Sequence, residues 1–163
     1  MKSEKAIQTI ELRKLADHHW QTYTDIVIDA PMGLVWKWLC NWDALSQWSS
    51  TLKGIQGEAK NGASIRVTYF VEGTFYHTPH TLIYKEGLAF GWSDPMEGEF
   101  EGLRDNHFFS LQRIDDDKTL FIQSDDFKGS GAEIISSEDL ARSTLQFFPL
   151  FNSDLKKVVE ENS

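Results

Sequence analysis

Two runs of the chain, NHFFSLQRIDDD and KTLFIQSDDFKG, hold titratable side chains at spacings that permit proton chemistry. Both alternate apolar and polar residues, the period of a strand. The cluster Asp115-Asp116-Asp117 between them reads as a hairpin turn. A turn centred near Asp116 pairs residues whose numbers sum to about 232. His107 then lies opposite Asp125, and Phe109 opposite Gln123. An imidazole beside a carboxylate suits general acid/base work, because the carboxylate holds the ring's tautomer and favours its charged form. That pairing predicts a His107 titrating above its ordinary value of about 6.5. The same pairing follows from register alone, so a hydrogen-bonded strand histidine is the plainer reading.

The other chemistry-bearing residues point to less. His77 and His80 in FYHTPHT are three apart, which on a strand puts them on opposite faces, with Pro79 interrupting the ladder. No third ligand has suitable spacing, so no metal is expected. His18 and His19 precede the first strand and read as surface residues. Cys40 is the single cysteine, which excludes an internal disulfide. Without a basic neighbour it reads as a buried thiol rather than a nucleophile. The chain has no serine nucleophile elbow and no glycine-rich phosphate loop, and no cofactor is expected. Gly129-Ser130-Gly131 reads as a flexible loop.

The elements that would position these groups follow from periodicity. Residues 1–19 form an N-terminal extension, expected to be helical from Ser3 onward, with Ile7, Ile10, Leu12 and Leu15 as its apolar set. Residues 20–163 form one domain. WQTYTDIVIDAP reads as a strand closed by Ala30-Pro31, with Pro31 suited to the first position of a helix. Four of the six tryptophans then fall within residues 33–48. Val35, Trp38, Leu39 and Trp42 share a helical stripe with Trp36 on its flank, and Asp43 is placed to cap a second short helix ending at Trp48. Six strand-like runs follow, separated by Lys60-Asn61-Gly62, Glu72-Gly73, Glu86-Gly87 and the triple aspartate, with a longer acidic loop over 93–106. The chain closes on a helix over about 137–161, apolar along Leu145, Phe148, Asn152, Leu155 and Val159, with Pro149 expected to kink it. Seven antiparallel strands and one long amphipathic helix predict an α+β fold, a curved sheet wrapped around that helix.

Composition narrows the function classes. The net charge is −9 and the isoelectric point about 4.9, which disfavours nucleic acid as a partner. No apolar run is long enough for a membrane span, and the charged N-terminus lacks the apolar stretch of a signal peptide. A cytoplasmic protein is the expectation; the oligomeric state is open, a dimer included.

The element order and several motifs resemble the START-like helix-grip superfamily, and within it the polyketide cyclase/dehydrase and lipid-transport (SRPBCC) group. IDAPMGLVWKWL followed by Trp48 is similar to that group's opening I-x-A-P-x-x-x-V-W-x-x-L … W. NHFFSLQ and TLFIQSDDFKG are similar to its H-x-F-x-L … E-x-F-x-G strands, and FNSDLKKVVEE to its closing helix. The resemblance spans residues 20–161. Asp125 stands where the group has glutamate, and Pro149 breaks into a helix that the group keeps whole. The resemblance implies a cavity between sheet and helix. Tyr69, Trp92, Phe109, Gln123 and Phe127 are the expected ligand-binding residues from the strands. Leu145, Phe148, Phe151 and Asn152 are those from the last helix, and Trp48 is that from the hinge. Inward-facing polar members, Asn152 among them, support a pocket rather than a dry core. Most of the tryptophan surface in 33–48 is expected to be core. The leading reading is binding of a small apolar, aromatic or lipid-like molecule. The alternatives are a cyclase or dehydratase using His107 and Asp125, and a protein-interaction module.

Overall fold

The protein's structure, a computed structural model, describes residues 7–163. The elements run β1 (Gln8–Ala16), β2 (His19–Ile28), α1 (Met32–Leu39), a 3-10 turn (Trp42–Ala44), α2 (Leu45–Trp48), β3 (Leu52–Gln56), β4 (Ser64–Val71), β5 (Thr74–Thr81) and β6 (Ile83–Lys85). Then come β7 (Ala89–Pro95), a second 3-10 turn (Gly98–Phe100), β8 (Arg104–Asp115), β9 (Lys118–Lys128), α3 (Ser137–Thr144) and α4 (Phe148–Glu161). All strand pairs are antiparallel. One sheet has the order β1-β2-β9-β8-β7-β6 and the other β3-β4-β5. The apolar face of α4, with Phe151, Leu155 and Val159 buried, packs into the curved sheet and shares its core with Ile26, Ile28, Phe109 and Phe121. This is the expected helix-grip architecture.

Three particulars differ from expectation. The N-terminal segment is a strand, not a helix; the expected Ser3 cap lies outside the described residues. β1 pairs with β2 from Gln8↔Ile26 to Ala16↔His19. His18 takes the turn between them at φ 55°. Without β1, the outer edge of β2 would present a row of unmatched amides and carbonyls, and pairing them outweighs a weak helical propensity. The helical stripe read there is no burial stripe, since Ile10 and Leu15 stay 49% and 47% exposed.

The run TFYHTPHTLIYKEG is two strands. Residues 74–81 pair with β4 and residues 83–85 with β7. Leu82 forms the corner: its N–H donates to Ala63 O at 2.8 Å, its carbonyl accepts from Gly62 N at 2.7 Å, and its side chain is buried. The anticipated seven strands thus become nine in two sheets. β5 and β7 diverge into a seam without a shared ladder among the described residues. His80 Nδ1 and Asp94 Oδ2, 2.8 Å apart, bridge it.

The closing helix is broken rather than kinked. α3 ends in a turn in which Gln146 N donates to Ser143 O and Phe147 N to Thr144 O. α4 then starts at Phe148, with Pro149 in its first turn. There the missing N–H would have had no helical acceptor, so the ring starts a helix instead of bending one. Ser136 caps α3 by accepting the Asp139 N–H. Trp36, not Trp38, is the buried ring of α1. Asp43 caps nothing; the residue before α2 is Ala44. At Gly91 a Cβ would run into the His107 carbonyl and the backbone of Phe108. Only glycine lets β7 lie this close to β8.

Candidate functional site

A cavity of about 420 Å³ lies between the concave sheet and the α3–α4 turn. Tyr69, Trp92 and Phe127 form its sheet wall, and Phe147, Phe148 and Phe151 its helix wall. At its rim are Tyr76 of β5 and Met96, Glu97, Glu99 and Phe100 of the β7–β8 connection. The β8–β9 register is the one read from the turn: His107 pairs with Asp125 and Phe109 with Gln123. Asp105, one pleat before His107, falls on the same face and pairs with Phe127. Asp105, His107, Gln123 and Asp125 are all buried.

The hydrogen bonds settle the tautomer of His107. Gln123 Nε2 donates to Asn152 Oδ1 at 2.8 Å and to Phe148 O at 3.4 Å, so Gln123 Oε1 is an acceptor. That oxygen lies 3.0 Å from His107 Nε2, which therefore carries the proton. His107 Nδ1 offers a lone pair to the Tyr69 hydroxyl at 3.3 Å, with Asp125 Oδ2 at 3.5 Å. The network continues outward. Asn152 Nδ2 donates to Thr24 Oγ1 at 2.8 Å and to Gln8 Oε1 at 3.2 Å. Gln8 Nε2 in turn donates to Pro149 O at 2.9 Å and to Ser153 Oγ at 2.8 Å. A strand outside the anticipated sheet thus closes the chain of bonds that orients the imidazole.

Burial sets the charge states. It lowers His107 to about 4, and neither the Asp105 charge nor the Gln123 hydrogen bond offsets it. The expectation of a raised histidine is corrected: the ring is neutral at pH 7, stacked between Phe109 and Phe148 at centroid distances of 4.6 and 4.8 Å. Burial first, and then the neighbouring Asp105 carboxyl, hold Asp125 well above the usual carboxylate range. Burial likewise holds the Tyr69 phenol well above 10.0, so it is a neutral donor. Asp105 Oδ2 accepts the Trp92 indole N–H at 3.2 Å, its Oδ1 is buried with no N–H donor among the described residues, and its carboxyl shares a hydrogen bond with that of Asp125. Cys40, outside the cavity, has its thiol pushed up to about 12 by burial and remains protonated.

Of the residues anticipated from sequence, Tyr69, Trp92, His107, Gln123, Asp125, Phe127, Phe148 and Phe151 meet at the cavity. Four do not line it. Trp48 packs behind Phe151 at 5.4 Å, and Phe109 sits in the core against Phe90 at 4.9 Å. Asn152 spends its amide within the protein, and Leu145 lies in the turn after α3. Asp105, His80 and Phe147 were missed. Asp105 shares the period-two face of His107 and Phe109, a signal hidden by assigning residues 93–106 to a loop. His77 bonds Thr68 on the exposed side, whereas His80 faces inward and stacks on Trp92 at 4.6 Å.

No family model and no curated protein sequence matches the chain. Solved structures do. The aromatase/cyclase Zhui of a Streptomyces species superposes with a TM-score of 0.70 at 13% identity, over 89% of this chain and 96% of that one. A START superfamily protein of Mycobacterium smegmatis superposes with a TM-score of 0.69 at 14% identity, over 88% of this chain and 99% of the other. The di-domain ARO/CYC protein BexL matches with a TM-score of 0.66 at 11% identity, this chain covering 52% of its length. At such identities the likeness speaks for architecture alone: the chain has the helix-grip fold that these START-like structures share.

Proposed function

We propose that the protein binds a small, largely apolar molecule in the cavity between its sheet and α3–α4. The observation that carries this reading is the cavity itself: about 420 Å³, walled by aromatic rings, with a few polar groups gathered at one end. A core of this size would be filled by side chains if packing were the only requirement. The interaction-module alternative anticipates a small closed cavity, and the volume counts against it.

An apolar fluorescent probe is expected to bind in a one-to-one ratio and to quench tryptophan emission through Trp92. Phe147, half-buried at the mouth, tests the assignment without removing a core residue. Phe147→Ala is expected to weaken the probe by about 1–2 kcal/mol, the loss of part of one ring's burial. Equal binding by both proteins, or no binding, overturns the reading. Native mass spectrometry of the purified protein then identifies any co-purifying molecule.

One observation favours a second reading, a cyclase or dehydratase. A carboxyl that keeps its proton, Asp125, stands beside a neutral imidazole, His107, both of them buried. The fold neighbour Zhui is an aromatase/cyclase. Loss of water from the bound molecule, or its conversion to a cyclised isomer seen by chromatography, supports this reading, and recovery of the unchanged molecule leaves binding alone.

A further inference from the structure

The charge at the inner end of the cavity is not balanced by the protein. Four carboxyls line the cavity, Asp105 and Asp125 inside and Glu97 and Glu99 at the rim, and among the described residues no lysine or arginine does. His80 is engaged with Asp94 across the seam. Asp105 and Asp125 are diagonal neighbours on adjacent strands, both buried. Burial and the Asp105 charge keep a proton on Asp125, which leaves one negative charge on the pair. Moving that proton onto His107 leaves the sum unchanged.

A buried charge without a counter-charge is costly, and a cationic ligand group would remove that cost. The donors are short as well. Asp105 is 7% exposed, takes one N–H from Trp92 and shares one hydrogen bond with the Asp125 carboxyl, and among the described residues no other side chain donates to it. An ammonium brings three donors and a positive charge. Eight aromatic side chains surround the same space, and their ring faces favour a cation further.

We propose that the cavity selects an amine: a molecule with an apolar body and a protonated nitrogen seated against Asp105 and Asp125. This rests on the binding reading above and goes beyond it by fixing the sign of the ligand's head group. It makes carboxylate- and phosphate-headed amphiphiles poor ligands, because each would place a second negative charge beside the buried one.

The test uses three molecules with one tail: decylamine, decanol and decanoic acid, each displacing the fluorescent probe from the unaltered protein at pH 7. Decylamine is expected to displace it at a concentration at least about tenfold below that of decanol, with decanoic acid weakest; tenfold corresponds to about 1.4 kcal/mol. Asp105→Asn is expected to bring decylamine to within about threefold of decanol. The head-group comparison on the unaltered chain stands even if that variant folds poorly. Decanol or decanoic acid equal to decylamine overturns the proposal and leaves the binding reading intact, as does a bound probe that none of the three displaces. Failure of the probe itself to bind overturns the binding reading.

Discussion

His107 is a histidine whose hydrogen bonds leave one tautomer. Its resonances are expected to stay those of a neutral ring with the proton on Nε2 from pH 8 down to about 5, because burial lowers it to about 4. Nitrogen-15 NMR reads both the tautomer and the midpoint, and a midpoint at 6.5 or above overturns the assignment. The same shift links to stability. As pH falls from 6.5 toward 4, unfolded His107 takes up a proton that the folded ring refuses, so this residue's contribution favours unfolding on acidification. Asp125 acts in the opposite sense, its folded carboxyl keeping a proton that the unfolded one loses above 3.8, so its contribution declines as pH rises. The slopes oppose each other in the shared window. Thermal melts of Asp125→Asn are therefore expected to show a steeper loss of Tm from pH 6.5 to 4.5 than the parent protein. The pairing of His107 with Asp125 was legible from turn position because hairpin register is local arithmetic. Its charge state was not, because desolvation depends on what closes over the ring: Phe148 above, Phe109 beside it and Trp92 at its edge.

At the level of elements, strands bounded by glycine, asparagine and aspartate turns were readable, and their chain order led to the architecture. What escaped reading was decided by partners distant in sequence. β1 exists because β2 had an open edge, and β5 parts from β6 because Leu82 is held by residues 62 and 63. Pro149 was visible as a helix breaker, but one sequence does not say on which side of the break a proline sits. Its place in the first turn of α4 makes a specific prediction. Pro149→Ala is expected to change stability by less than about 1 kcal/mol, slightly downward through the freer unfolded chain. A proline inside a continuous helix would instead cost about 3 kcal/mol, which alanine would restore. Chemical denaturation of the two proteins separates the cases.

For the whole molecule, ligand occupancy and stability are one equilibrium. A ligand at a hundred times its Kd adds about 2.7 kcal/mol. For a chain of 163 residues that is a rise in Tm of roughly 5–10 °C. Differential scanning calorimetry with decylamine is expected to show this rise, and saturating ligand with no rise would mean that the unfolded chain binds it equally well. The seam between β5 and β7 determines what such binding asks of the backbone. The β4–β5 hairpin carries Tyr69 and Tyr76 on the cavity side, yet it is joined to β7 by the Asp94 carboxylate, which meets His80 and the Thr81 N–H, and by the His80–Trp92 stack rather than by a ladder. The hairpin is a panel anchored through β3 and the Leu82 corner and held to β7 and β8 by side chains, His80 on Asp94 and Trp92 and Tyr69 on His107, with the Thr81 N–H on Asp94. Swinging it outward breaks these contacts of the His80, Asp94 and Tyr69 side chains but no strand-to-strand ladder. That side of the container is held by side chains rather than by a ladder, and it is where a guest of larger girth is expected to be accommodated.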